Sequence, residues 1–360
     1  MGSFVLVPML LAVVSAIVLL GALDWSVQAD PWVGRTAASS PPRKVAVLGA
    51  SGATGHELLR NLVKAATDKH NPISSIVLLV RSFGSLKQCR QFPPHMKKPP
   101  SFELFDCMAV DFEALASADD AAPSMAALAE KLRGVDVLFS AFGTTRALAG
   151  SDGAFRRVDH DYVLAVAAAA RLARVPHLSV VTSTGADPRA SSLYLRTKGE
   201  VEASLRALLL GPGPGAGMGI QRLSIFRPSL LLTGTVHQRA DSRLGEDLSK
   251  MVLAPLAQWL PPNLKPVSAY FLAQSMLVSA GWAAAGSGES GAAAVDVFEN
   301  SGIHAIGNNF FQDFGGSTAK YAGGACGWGC AGAIDDHDNG EAQREVSKLA
   351  LSADRTQGKK

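Results

Sequence analysis

Gly49-Ala50-Ser51-Gly52-Ala53-Thr54-Gly55 is the stretch that decides the fold. It follows the apolar residues 45–48 and opens an amphipathic segment, which is the strand-turn-helix context of a nucleotide-phosphate loop. The first glycine allows a sharp turn, the second lets the backbone approach a pyrophosphate, and the third lets the helix lie close to the sheet, with free N–H groups facing the phosphates. The chain contains 35 glycines, so the spacing could arise by chance, but the flanking pattern favours the loop.

A tyrosine and a lysine four residues apart, Tyr194 and Lys198, form the second signal. On a helix they share one face, where the ammonium would stabilise a phenolate and make the tyrosine useful as an acid or base. Ser183 follows the apolar stretch 177–181, so we expect its hydroxyl at the carboxyl end of the sheet, with Thr182 as the alternative. Such tyrosine–lysine pairs are common on amphipathic helices, but the preceding strand and serine favour catalysis. The predicted catalytic residues are Ser183, Tyr194 and Lys198.

Apolar runs that are typical of strands alternate with helical segments along residues 44–307. The alternation predicts an α/β protein with a doubly wound parallel sheet, a Rossmann fold, in a single domain. Strands are predicted near Val45, Ile76, Phe102, Val135, Leu178, Leu223 and Asp296. Helices are predicted over residues 56–66, 125–132, 159–173, 193–209 and 268–284.

Seven blocks of this region share their residues with a known family. They are Phe142-Gly-Thr-Thr-Arg146, Arg157-Val-Asp-His-Asp-Tyr-Val163, Ser183-Thr-Gly-Ala-Asp187, Leu193-Tyr-Leu-Arg-Thr-Lys-Gly-Glu-Val-Glu202, Ile225-Phe-Arg-Pro228, Arg243-Leu-Gly-Glu246 and Glu299-Asn-Ser-Gly-Ile-His304. In these blocks the chain resembles the Tat-interacting-protein oxidoreductases, atypical short-chain dehydrogenase/reductase proteins related to a fungal protein of the mitochondrial outer membrane. The resemblance implies a Rossmann fold, NADPH binding and a Ser-Tyr-Lys active site. It also implies regulatory roles in which turnover of a defined substrate is poorly established.

The resemblance assigns coenzyme contacts to individual positions. Arg81 matches the basic residue that ends the second strand, where an arginine suits the 2′-phosphate of NADP and a carboxylate would suit the ribose of NAD. A solvated arginine that caps the strand is the alternative, and NADP(H) is the predicted cofactor. Asp111 matches a contact near the adenine, and Pro228 matches the residue beside the nicotinamide. The predicted cofactor-binding residues are Gly49, Ser51, Gly52, Ala53, Thr54, Gly55, Arg81, Asp111, Phe142, Gly143, Thr144, Tyr194, Lys198, Arg227 and Pro228.

Asp159 departs from the pattern of many short-chain dehydrogenases. These enzymes have an asparagine at the matching position, in the helix after the fourth strand, where it supports a water chain to the lysine. An acidic group could still hold water, so the sequence leaves the proton relay open. The neighbouring His160 is interpreted as a helix-surface residue rather than a base.

An uncharged stretch over residues 4–23 precedes the predicted domain and is interrupted only by Pro8. A helix of this length rises about 30 Å, which matches the hydrocarbon core of a bilayer. A retained transmembrane anchor is favoured, and a cleaved secretory signal or a buried core helix are the alternatives. Basic residues follow this stretch and none precedes it, so the domain is predicted on the cytosolic side of an organelle outer membrane or the endoplasmic reticulum.

The predicted organisation of the chain has four parts. Residues 1–29 form the anchor or signal, residues 30–43 a linker, residues 44–307 the NAD(P)-binding domain, and residues 308–360 a disordered glycine-rich tail. The four cysteines are expected as free thiols, with pairing of Cys326 and Cys330 or lipid attachment as alternatives, and no metal site is predicted.

Charge and motifs leave two classes of function. The chain has 34 basic and 31 acidic residues and no basic segment interleaved with aromatics, so nucleic-acid binding has no support. The first class is an NADP(H)-dependent oxidoreductase acting on a small carbonyl or alcohol substrate. The second is a membrane-anchored NADPH-binding regulatory or scaffolding protein with protein partners and without significant turnover.

Overall fold

The computed structural model describes residues 43–66, 73–81, 104–210, 220–232, 260–286 and 294–313, and a seven-stranded parallel sheet forms the centre of this part of the chain. The strands are β1 (Arg43–Leu48), β2 (Ile73–Val80), β3 (Phe105–Ala109), β4 (Val137–Ser140), β5 (His177–Val181), β6 (Arg222–Arg227), the short parallel pair β7 (Leu231–Leu232) and β8 (Val267–Ser268), and β9 (Ala294–Glu299). The order across the large sheet is β3-β2-β1-β4-β5-β6-β9. This is the dinucleotide-binding order 3-2-1-4-5-6 extended by one strand, so the predicted doubly wound fold is confirmed.

Helices cover both faces of the sheet. They are α1 (Ala53–Ala66), α2 (Phe112–Ala116), α3 (Pro123–Lys131), α4 (Arg146–Ala149), α5 (Asp152–Arg156), α6 (Tyr162–Leu172), α7 (Leu193–Leu210), α8 (Ala269–Gly286) and α9 (Asn300–Asp313). A π-helical turn, Arg157–Asp161, joins α5 to α6, and a 3-10 helix spans Pro262–Leu264. Side chains of Asp111, Thr145 and Ser151 cap the short helices α2, α4 and α5 by accepting backbone N–H bonds.

Strand β1 shows why the apolar runs form this sheet. Successive side chains of a strand point to opposite faces, and in a parallel sheet both faces are covered, so an inner strand is apolar throughout. Ala46 and Leu48 belong to the core beneath α3, α6 and α7, whereas Val45 and Val47 belong to the core beneath α1, α8 and α9. The strand is therefore buried on both sides.

Most predicted elements are confirmed, and the differences lie at chain segments with short or atypical patterns. The strand predicted near Val135 begins at Val137, and α9 continues through Gly307 to Asp313, past the predicted end of the domain. A Cβ atom at Gly307 would lie 3.1 Å from the Phe271 ring, so the glycine permits close packing of α9 on α8. The short elements α2, α4, α5, β7 and β8 carry too few residues for a periodic signal.

Several predictions fall outside the described residues. These are the transmembrane segment 4–23, the linker, and the tail after Asp313. Within the described ranges, the helices are too short or too polar to span a bilayer. Cys107, in β3, is disulfide-bonded, so the expectation of a free thiol is wrong at this position. The other three cysteines, Cys89, Cys326 and Cys330, lie outside the described residues.

His177, at the start of β5, makes the stability of this fold sensitive to acid. Its ring is buried, and its Nε2 atom lies 2.9 Å from the Ser224 hydroxyl. Burial, reinforced by the positive charges of Arg222 and Arg43, lowers the pKa of His177 from 6.5 to about 3. The folded protein therefore binds fewer protons than the unfolded chain between these two values. The stability contributed by this group is present above pH 6.5 and is lost as the pH falls towards 3.

We expect His177 alone to lower the free energy of unfolding by about 2 kcal/mol between pH 7 and pH 5. Urea unfolding of the wild type and of His177→Gln at both pH values measures this slope. His177→Gln should have a shallower slope than the wild type. Equal slopes in the two proteins would contradict the prediction.

Candidate active site

The glycine turn between β1 and α1 is closely packed against the end of β4. Gly49 has a φ of +91°, and a Cβ atom there would lie 2.7 Å from the carbonyl oxygen of Ala141. A Cβ atom at Gly55 would lie 2.1 Å from the carbonyl oxygen of Gly49. No side chain fits at either position, so α1 begins directly against the turn with its first N–H groups near the strand end. Gly52, whose N–H donates to the Gly49 carbonyl over 3.0 Å, has more room.

The other predicted coenzyme contacts follow the carboxyl ends of the strands. Arg81 comes directly after β2 and is exposed, and Asp111 follows β3. The 142–144 segment follows β4, and Pro228 follows β6. In a parallel sheet these ends share one edge, where the strand order reverses between β1 and β4 and ligands bind. The fold thus brings the predicted residues to the same edge of the sheet.

Three hydroxyl side chains follow β5, and the structure distinguishes them. The Thr182 hydroxyl is buried and donates to Glu202 Oε1 over 2.7 Å, and the Thr184 hydroxyl donates to the Arg227 carbonyl over 2.9 Å. The half-buried Ser183 hydroxyl is 3.3 Å from the carbonyl oxygen of the next residue, which is a long bond. This favours Ser183 over Thr182 as the hydroxyl that could meet a substrate.

Tyr194 and Lys198 lie on one face of α7, as their spacing predicts. The Lys198 ammonium is 5.9 Å from the centre of the Tyr194 ring, and the ring of Phe155 packs 6.0 Å from that of Tyr194. The two residues differ in exposure, because Tyr194 is 42% exposed whereas Lys198 is 6% exposed. The phenol is thus open to a ligand, and the ammonium lies beneath it.

Asp159 contacts Lys198 directly. Its Oδ1 atom is 2.7 Å from the lysine Nζ atom, and its Oδ2 atom accepts the Thr144 N–H over 2.7 Å. A Cβ atom at Gly143 would lie 3.1 Å from Asp159 Oδ1 and 3.6 Å from Lys198 Nζ. The 142–144 segment, predicted to pass along the coenzyme, therefore touches the pair formed by Asp159 and the predicted catalytic lysine. The sequence left open how Asp159 acts, and the structure shows an ion pair.

Relatives of known sequence identify the family, although no family model matches the chain. The protein HTATIP2 of Rattus norvegicus is 34% identical over 226 residues, which cover 62% of this chain and 76% of that protein. The mitochondrial protein fmp52 of Aspergillus clavatus is 30% identical over 203 residues, 56% of this chain and 70% of that protein. The chain belongs to the HTATIP2 and FMP52 family of atypical short-chain dehydrogenase/reductase proteins. The resemblance noted in the sequence is confirmed.

The solved structures that match this chain have low sequence identity to it. ElxO with NADP bound has a TM-score of 0.49 and 13% sequence identity, and the match covers 73% of this chain and all of that one. MoeE5 in complex with UDP-glucose and NAD has a TM-score of 0.43 and 12% identity, over 75% of this chain and 82% of that one.

Glu202 is a buried residue of the site, and the sequence did not reveal its role. Its carboxylate is 1% exposed and accepts bonds from the Arg227 guanidinium, from Arg206 over 3.2 Å and from the Thr182 hydroxyl. The Arg227 guanidinium also donates a hydrogen bond to Glu299 Oε1 over 2.8 Å. The hydrogen bonds that Arg227 donates to Glu202, and then those to Glu299, raise the pKa of Arg227. The guanidinium predicted to contact the coenzyme is thus occupied by two carboxylates.

Gly199 is a second such residue, directly after the predicted catalytic lysine. A Cβ atom there would lie 2.2 Å from the backbone carbon of Asp187 and 2.3 Å from the nitrogen of Pro188. The loop that carries Ser183 therefore crosses α7 in backbone contact. A glycine inside a helix lowers the stability of that helix by about 1 kcal/mol relative to alanine. A glycine within a predicted helix was therefore the one signal in the sequence for this close contact.

Proposed function

We propose that this protein is an NADP(H)-dependent oxidoreductase that interconverts a carbonyl and an alcohol. The single observation that carries the proposal is the contact of the 142–144 segment with Asp159 and Lys198. That segment follows β4, next to the glycine turn of β1 at the switch point of the sheet. A coenzyme whose pyrophosphate lies at the turn would extend along this edge towards Lys198 and Tyr194.

The residues at the phosphate end fit a dinucleotide. The turn has no space for side chains at Gly49 and Gly55, so backbone N–H groups and the N-terminus of α1 face the edge of the sheet. Arg81 is exposed directly after β2, where its guanidinium could pair with a 2′-phosphate. These features support NADP(H) as the coenzyme.

At the reacting end, each of three side chains has a role. When bound, the coenzyme supplies or accepts a hydride at its nicotinamide ring. Ser183 would orient the substrate oxygen through its hydroxyl, and Tyr194 would donate a proton to that oxygen during reduction or remove it during oxidation. Lys198 would contact the nicotinamide ribose, and the part of its charge that Asp159 does not offset would stabilise the phenolate of Tyr194. The exposure of the Tyr194 ring and the burial of Lys198 agree with these roles.

The alternative is a regulatory or scaffolding protein that binds NADPH without significant turnover. The observation in its favour is the Asp159–Lys198 ion pair. An ammonium that is neutralised by a buried carboxylate stabilises a nearby phenolate less than a free one does. Both functions predict coenzyme binding, so activity measurements must separate them.

Tyr194→Phe should abolish the NADPH-dependent reduction of a panel of aldehydes and ketones, because the variant has no proton to donate. Its affinity for NADPH should stay within about twofold of the wild type, since the ring remains. Loss of nicotinamide absorbance measures turnover, and calorimetry measures binding. Tyr162→Phe, which removes a hydroxyl bonded to Glu113, is the control and should keep full activity. Turnover in Tyr194→Phe would remove the catalytic assignment, and an inactive wild type that binds NADPH would favour the alternative function.

Arg81→Ala should weaken NADPH binding by about tenfold or more and leave NADH binding unchanged, because only NADPH carries the 2′-phosphate. Calorimetric titration with both coenzymes measures the two affinities. Arg133→Ala is the matched control, since Arg133 is exposed before β4 at the opposite edge of the sheet. An equal loss for both coenzymes, or none for either, would be evidence against an NADP(H) preference set by Arg81.

We further propose that residues 4–23 anchor the protein in the membrane of an organelle. Their length and lack of charge support this, and fungal family members are named mitochondrial proteins. The disulfide at Cys107 bears on which side the domain faces, because disulfides persist mainly in oxidising compartments. The disulfide therefore favours an anchored domain that faces a lumenal compartment over one that faces the cytosol.

Deletion of residues 1–29 should move the protein from a carbonate-washed membrane fraction to the soluble fraction, because the uncharged stretch is lost. Protease added to intact organelles that contain the full chain then shows on which side of the membrane the domain lies. Digestion of the domain supports the cytosolic side, and protection supports a lumenal one. A deleted chain that stays with the washed membrane would exclude this segment as the anchor.

A further inference from the structure

The pair formed by Asp159 and Lys198 is unusual because both charges are buried at a site that should receive a charged ligand. The side chains are 1% and 7% exposed, and Asp159 lies in the π-helical turn. Such turns are rare and are frequently found at functional sites. Here the turn buries Asp159, whereas its neighbours His160 and Asp161 remain partly exposed.

The contacts of Asp159 suit a carboxylate better than an amide. Oδ1 lies 2.7 Å from the lysine ammonium as an ion pair, and Oδ2 accepts the Thr144 N–H, so a cation and an N–H group both lie against one side chain. A carboxylate accepts through both oxygens, whereas an amide accepts through one and presents an N–H₂ group to the second donor. The bare backbone at Gly143 lets this arrangement form in direct contact, without a bridging molecule.

We propose that Asp159 is a positioning residue that holds Lys198 and cancels its charge, so that the coenzyme site does not disfavour the oxidised coenzyme. This inference rests on the proposed function. The nicotinamide ring of NADP+ carries a positive charge and that of NADPH carries none. An unpaired ammonium close to the ring would repel NADP+ selectively, and a neutral pair removes this repulsion. The carboxylate thus sets the relative affinity for the two forms of the coenzyme.

Asp159→Asn should lower the affinity for NADP+ relative to NADPH by about tenfold, because an uncompensated charge in a partly buried site acts on one form alone. Calorimetric titration of the full chain with each coenzyme measures the ratio of the two dissociation constants and needs no substrate. Asp161→Asn is the matched control: Asp161 lies in the same turn and pairs with Arg157 over 3.3 Å. Its ratio should equal that of the wild type.

Two more variants keep the test decisive if Asp159→Asn fails to fold. Lys198→Met leaves the Asp159 carboxylate without its ionic partner. It should shift the ratio of the two dissociation constants in the opposite direction, towards tighter relative binding of NADP+. Contacts of the lysine with the ribose are common to both coenzymes and cancel in the ratio. The double variant Asp159→Asn/Lys198→Met removes both charges and should return the ratio to near the wild-type value.

An unchanged ratio in Asp159→Asn or in Lys198→Met would overturn the inference, and so would an equal shift in Asp161→Asn. In either case, binding of NADPH by the wild type would leave the proposed function standing. A wild type that binds neither coenzyme would overturn the proposed function and this inference together.

Discussion

Two buried charges on helix α7 constrain the whole edge of the sheet where the site lies. Lys198 and Glu202 are one helical turn apart, and a buried charge that loses its partner costs several kcal/mol. Lys198 is paired with Asp159, and Glu202 with Arg227. Asp159 lies in the helical segment after β4, and Arg227 ends β6. The two ion pairs therefore fix α7 against elements from both sides of β5.

The same arrangement sets the position of each side chain that could react. Glu202 also binds the Thr182 hydroxyl, which holds the end of β5 and leaves Ser183 next to it half-buried. Gly199 lets the following loop cross α7 in backbone contact. Tyr194 is exposed in the first turn of the helix, one turn before Lys198. A phenol, a hydroxyl and an ammonium thus lie at one end of α7 and β5, held by Glu202, Asp159 and the close approach at Gly199.

Membership in the HTATIP2 and FMP52 family and the Rossmann architecture agree with coenzyme binding. They do not by themselves separate an enzyme from a protein that binds NADPH as a regulator, because function resides in the site rather than in the fold. In this chain the charge state around Lys198 bears on both functions. A site with a neutral pair has a different preference for the two coenzyme forms from one with a free ammonium, whichever function the protein performs.

The sequence by itself determined the layers of the fold and the types of residue at the site. Apolar runs such as residues 45–48, the glycines of the turn, and the spacing of Tyr194 and Lys198 are local patterns, and local periodicity is what a sequence expresses directly. It could not determine which hydroxyl after β5 makes only a long hydrogen bond, that Asp159 pairs with Lys198, or that Arg227 is held by Glu202. Each of these depends on contacts between residues far apart in the chain, and only the packing of helices and strands brings those residues together.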